Sequence, residues 1–229
     1  MFQNDDTILC VDPAEIKAVI LGKDITVEEF VAVARYGAEV KFSDEYCDRV
    51  KKTKCLLDKF VSENRLIYGV TTGFGDNVGS VISPDDSVKL QTNIIRSHAC
   101  AVGEPLEKEL VRGIQLMMLL NMGQGFSGVS LEMLELLKEL LNKEVVPFAP
   151  GEGSVGYLGV EGHVALVLLG EGKAWYKGEL MDGSKALESA GLEPIVIGYK
   201  EGLSLLNGST SVTAIAVMAL YNAIQSVKI

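Results

Sequence analysis

Apolar residues recur at helical spacing along most of the chain, and polar caps mark where the helices begin. Leu131, Leu134, Leu137 and Leu141 form one stripe behind a capping Ser130. Leu106 to Met122 reads as the preceding helix, ending near Gly123. Upstream, Asp12-Pro13-Ala14-Glu15, Thr26-Val27-Glu28-Glu29 and Ser43-Asp44-Glu45 each open a helix, the last running to about Glu63. Ser83-Pro84-Asp85-Asp86 sets a cap, an N1 proline and two acids at the positive end of a helix that reaches His98. The pattern changes after Gly170. Lys173 to Leu180 predicts a small hairpin, the only sheet expected, and Asp182-Gly183-Ser184 leads into a short helix ending near Gly191. The fold class is therefore mainly α, with residues 1–229 forming a single unit without internal repeat or linker.

Residues 203–229 are expected to hold the start of a long helix, which from Ser209 to about Tyr221 is apolar on every face, through Val212, Ala214, Ile215, Ala216, Val217, Met218, Ala219 and Leu220. Such a helix is buried on all sides. This chain offers nothing after it to do the burying, so a covering surface is expected from elsewhere.

Composition narrows the function. Hydrophobic residues make up 48% and charged residues 23%, as in ordinary globular proteins. A net charge of −10 disfavours nucleic acid, whose affinity depends on Lys and Arg neutralising phosphates. The acidic start Met1 to Asp6 is unlike a signal peptide, and no uninterrupted apolar stretch of ~18–20 residues stands out. No membrane association and a cytoplasmic location are expected. Cys10, Cys47, Cys55 and Cys100 form no CxxC pair, which points to reduced, partly buried thiols. His98 and His163 lie far apart without acidic residues at ligand spacing, so no metal site is expected. The glycine-rich loop from Gly151 to Gly159 lacks the Gly-Lys-Ser/Thr ending of a phosphate cradle.

Several motifs carry a more specific message. Residues 153–159 read Gly-Ser-Val-Gly-Tyr-Leu-Gly. Tyr68-Gly69-Val70-Thr71-Thr72-Gly73-Phe74-Gly75 precedes them, followed by Leu90-Gln91, Asn93, Arg96-Ser97-His98-Ala99 and Val102-Gly103-Glu104-Pro105. Lys200-Glu201-Gly202-Leu203 then leads into Asn207-Gly208-Ser209. In this order the motifs resemble the N-terminal half of the histidine and aromatic amino-acid ammonia-lyase family. That family's fold is a helical bundle with a long central helix. Its Gly-Ser-Val-Gly-Ala-Ser-Gly-Asp motif cyclises and dehydrates at Ala-Ser-Gly into a methylidene-imidazolone (MIO). Here Tyr157 and Leu158 replace the Ala and Ser ahead of Gly159, and Val160 replaces the Asp. Leucine has no hydroxyl to lose as water, so no MIO and no other cofactor is expected.

The resemblance implies roles. Tyr68 is the base that removes a β-proton, on a loop whose Gly69 lies beside the substrate. A free phenol titrates near ~10, so such a base needs nearby positive charge or hydrogen bonds. His98 and Asn207 bind substrate, although alone they would read as a core or capping histidine and a helix cap. Glu161 is either a helix-terminus glutamate or a carboxylate facing a cationic amine. Tyr157 would fill the space of the missing ring and offer an aromatic face to a cation.

Without the electrophile, elimination needs an amine that departs unaided, such as a trimethylammonium group. The expected function is a carbon–nitrogen lyase acting on a histidine-like or other amino-acid or betaine substrate, of the ergothionase type. A C-terminal-half subunit would complete it in a tetramer-like assembly, with the chain either a split-gene product or a fragment. A non-catalytic or ligand-binding subunit and an aminomutase remain open alternatives.

Overall fold

The computed structural model describes residues 11–77, 79, 81–154 and 158–227. Its helices begin where capping chemistry puts them. Thr26 and Glu29 form a reciprocal capping box at α1 (Val27–Tyr36), which ends on Gly37 at φ 73°. Ser43, Ser83 and Ser130 each accept a backbone N–H at the start of α2 (Asp44–Ser62), α3 (Pro84–His98) and α5 (Leu131–Asn142). Between α3 and α5, α4 (Lys108–Met122) starts without a side-chain cap. Asp12 opens only a 3-10 turn at Pro13–Glu15.

Strands correct the sequence reading, because the hairpin is not the only sheet. β1 (Ala18–Leu21) pairs in parallel with β2 (Glu39–Phe42), and β3 (Val102–Pro105) pairs antiparallel with β5 (Pro150–Glu152). The expected hairpin forms from β6 (Lys173–Tyr176) and β7 (Glu179–Asp182), and β4 (Val146–Pro147) extends it to three strands. Strands of two to four residues are too short to show alternation, and their partners lie far along the chain.

Helix α4 organises the core. Its Ile114, Leu116, Leu119 and Met122 are buried, and it packs against α1, α5 and the C-terminal helix. Gly113 permits that approach: a Cβ there would stand 3.3 Å from the Phe30 ring and 3.6 Å from Ala214. Two further helices follow: α6 (Gly159–Leu168) packs against α3, and α7 (Gly183–Ser189) packs against α6 and the hairpin.

The apolar helix expected from Ser209 begins at Thr210, and a separate short helix precedes it. α8 (Glu201–Leu206) and α9 (Thr210–Val227) are joined through Asn207, Gly208 at φ 135° and Ser209 at φ 52°. A Cβ at Gly208 would lie 2.4 Å from the Asn121 amide, so the turn requires glycine. Within this chain α9 is buried along one side only. Ala214, Met218 and Tyr221 are buried, whereas Val212, Ile215 and Leu220 are 51%, 39% and 52% exposed. By length and composition Glu201–Val227 would suffice to cross a bilayer, a test that core helices of soluble proteins also pass.

Candidate active site

Three segments distant in sequence line one cavity of about 690 Å³: the loop at Tyr68, Gly73, Phe74 and Gly75, the face of α3 bearing Asn93, Ser97 and His98, and Leu203 with Asn207. Leu158 closes a fourth side.

Tyr68 is 54% exposed, so it is no packed core ring. Phe74 meets it edge-on at 6.3 Å between centroids. The Gly75 N–H donates to the Tyr68 hydroxyl at 3.2 Å, which leaves the hydroxyl proton free for another acceptor. Gly69 takes φ 68°, and a Cβ there would strike Leu203 Cδ2 at 2.5 Å. Gln91, fully buried on α3, holds this loop in place. Its Nε2 donates to the Gly69 carbonyl (3.2 Å), while its Oε1 accepts the Leu203 N–H (3.0 Å). One amide therefore ties the Tyr68 loop to the helix that carries Asn207.

His98 ends α3. Its Nδ1 lies 2.8 Å from the Ile94 carbonyl and 3.0 Å from Ser97 Oγ. A carbonyl only accepts, so Nδ1 bears the proton, and Nε2 of the neutral ring carries the lone pair. Asn207 is exposed at the end of α8, its Nδ2 donating to the Leu203 carbonyl (3.0 Å). It caps the end of α8 and lines the cavity with the same side chain.

Leu158 adopts φ 74°, ψ −57° immediately before α6, a costly conformation for a branched side chain. Gly159 is buried in the first turn of α6. Gly162, one turn on, lets that helix cross the end of α3 closely, since a Cβ would lie 2.9 Å from the Ala99 nitrogen. That crossing brings Leu158 to the cavity shared with His98. Tyr157 lies outside the described residues.

Glu161 is placed differently from the amine-facing position considered for it. It is fully buried, does not line the cavity, and accepts from Thr210 Oγ1 (2.7 Å) and the Ser211 N–H (2.9 Å). It caps α9 across the fold, taking a first-turn amide that has no carbonyl partner within the helix. Glu201 is likewise buried, and its carboxylate accepts from Ser130 and Gly198 amides.

Sequence reasoning gave Lys200 no role. It takes φ 65° and lines a second cavity of about 440 Å³ with Tyr68, Asn121 and Asn207, and burial pulls its pKa down. The only signal was its place at the head of the Lys-Glu-Gly-Leu motif. Among the described residues no cluster of His, Cys, Asp or Glu suits a metal. Cys47 is half-buried, but Cys55 and Cys100 are exposed, so the expectation of partly buried thiols holds for only one of these three; Cys10 lies outside the described residues.

Residues 25–229 match the family described as aromatic amino acid lyase. The chain belongs to that family. It is 44% identical over 211 residues to histidine ammonia-lyase of Streptococcus pyogenes, covering 91% of this chain and 41% of that protein. Phenylalanine aminomutase of Pantoea agglomerans superposes with a TM-score of 0.86 at 36% identity, covering 91% of this chain and 40% of that one. The ergothioneine-degrading ergothionase of Treponema denticola does so at 0.86 and 32%, covering 89% and 42%. The chain thus spans about two fifths of the length of these relatives and matches the N-terminal part of an ammonia-lyase fold.

Proposed function

We propose that this chain carries the N-terminal share of a carbon–nitrogen lyase site in which Tyr68 is the base and no MIO takes part. The observation behind this reading is the convergence of Tyr68, His98, Asn207 and Leu158 on one cavity. Residues 157–159 do not suit the ring, because Leu158 has no hydroxyl to lose.

Tyr68 takes the β-proton, the C–H electron pair becomes the new double bond, and the C–N bond breaks with its pair staying on nitrogen. His98 Nε2 is available to hold a proton, and Asn207 to orient the substrate by hydrogen bonding. Ammonia leaves poorly in such a step. A trimethylammonium group departs as neutral trimethylamine, which favours histidine-derived betaines, and similarity to an ergothioneine-degrading enzyme supports the same class. The leaving-group side of the site comes from a C-terminal-half partner within a tetramer-like assembly.

The test is to incubate the assembled protein with histidine, hercynine and ergothioneine and follow the conjugated product in the ultraviolet. Turnover of a betaine, lowered about a hundredfold or more by Tyr68→Phe, is expected. Brisk deamination of histidine, or silence with every substrate, contradicts the proposal. A Tyr68→Phe variant with an unchanged rate would make this chain a supporting subunit.

A further inference from the structure

A third cavity, sharing no lining residue with either of the two cavities beside Tyr68, has the opposite electrostatic character from the chain as a whole. It measures about 280 Å³ and is lined by Arg35 from α1, Lys108 and Arg112 from α4, and Lys177 from the turn between β6 and β7, together with Trp175 and Glu144. Arg35 is already paired with Glu109 at 2.7 Å. Lys108, Arg112 and Lys177 have no ion-pair partner within 4.0 Å among the described residues. Three unpaired cations thus face one lining carboxylate, Glu144, on a chain of net charge −10.

Arg112 is built into the fold rather than draped over it. It is 7% exposed, and its guanidinium donates to the carbonyls of Val33 (2.7 Å), Leu141 (3.0 Å) and Ala34 (3.2 Å). Those bonds use three of five N–H donors, so two are left on a fixed plane that lines the cavity. Burial lowers the guanidinium pKa, a desolvation cost that a nearby anion would relieve. Lys108 is the first residue of α4, whose uncapped positive end adds to the same field. Its Nζ lies over the Trp175 ring at 4.5 Å, which restricts the amine to the cavity side of the hairpin.

We propose that this cavity binds a compact anion of the phosphate class, held by Lys108, Lys177 and the spare donors of Arg112. The volume suits inorganic phosphate or a small phosphorylated molecule. It does not depend on the lyase reading.

Isothermal titration of the intact protein with inorganic phosphate, at fixed ionic strength, tests it. Saturable one-site binding is expected, weakened at least about tenfold by combining Lys108→Met with Lys177→Met. Both lysines are exposed, so the double variant should melt at the wild-type temperature without phosphate. Removing the exposed Lys51 and Lys52 of α2 in the same way should leave binding intact. No saturable heat up to about 10 mM phosphate, where a millimolar site would register, overturns the proposal. Undiminished binding in the Lys108/Lys177 variant, or equal loss in the α2 control, overturns it as well.

Discussion

The Glu161 carboxylate and the Ser211 backbone N–H stand 2.9 Å apart, binding the first turn of α9 to α6 from 50 residues away in sequence. Thr210 Oγ1 donates to the same oxygen at 2.7 Å, and the carboxylate is fully buried. Glu161→Ala should therefore destabilise the chain by about 1–3 kcal/mol, since it orphans a buried amide and a hydroxyl. Glu161→Gln keeps the size and one acceptor oxygen and should cost less. Denaturant midpoints at constant m measure both. Midpoints equal to wild type would show that α9 needs no cap from α6.

Gln91 is a second cross-fold tie, and it acts on the candidate site itself. Gln91→Leu preserves much of the volume but leaves the Gly69 carbonyl and the Leu203 N–H without their partner, at a cost of about 1–3 kcal/mol for each group that stays buried. The loop is the part free to respond, so amide exchange at Gly69–Gly73 should quicken more than exchange in the middle of α3. Equal protection in the two proteins would mean the loop is held by Phe74 and Leu203 packing alone.

Much of this architecture is legible in the sequence because its signals are local. Ser43, Ser83 and Ser130 cap helices within three residues of themselves, and the leucine stripe of α5 needs only one element to be seen. The motif at Tyr68 and the one at Asn207 point to a family, and the fold brings them to one cavity. What escapes is non-local. β1 and β2 pair over four residues each, with a whole helix between them. The partners of Glu161 lie beyond the hairpin, so nothing near it distinguishes a cap from a pocket carboxylate. The start of the C-terminal helix is legible at Asn207-Gly208-Ser209, since asparagine and serine are ordinary helix caps, whereas the short α8 ahead of it carries no such local signal.

Helices α3 and α8 touch backbone to backbone at Gly202, where an added Cβ would lie 2.3 Å from the Gln91 carbonyl oxygen. No rotamer can relieve that clash, because the backbone fixes the Cβ position and the oxygen belongs to the main chain. Gly202→Ala should therefore force α8 away from α3, costing about 1–3 kcal/mol as overpacking. It should also move Asn207 relative to His98. Thermal denaturation reads the first effect, and reduced affinity for a histidine-like ligand in the assembled protein reads the second. A variant as stable as wild type would show that α8 shifts freely.

Acid should weaken this fold partly through His163. The ring is half-buried on α6, and its Nε2 has no hydrogen-bond partner among the described residues. Burial pulls its pKa below the ordinary 6.5, against a smaller upward pull from a hydrogen bond to the Ala101 backbone. The unfolded chain therefore takes up this proton before the folded one does. More protons bound by the unfolded state means stability rises with pH, so stability falls as pH drops from about 7 through the unfolded value near 6.5. The fall from this residue stops once the folded ring is protonated too. His163→Gln removes the titration at similar size and should flatten the stability curve between about pH 7 and pH 5.5. The chain's other histidine, His98, is present in both proteins, so the difference between the curves isolates His163. Parallel curves would show that folding leaves this proton's affinity unchanged, and a steeper variant curve would reverse the sign argued for burial.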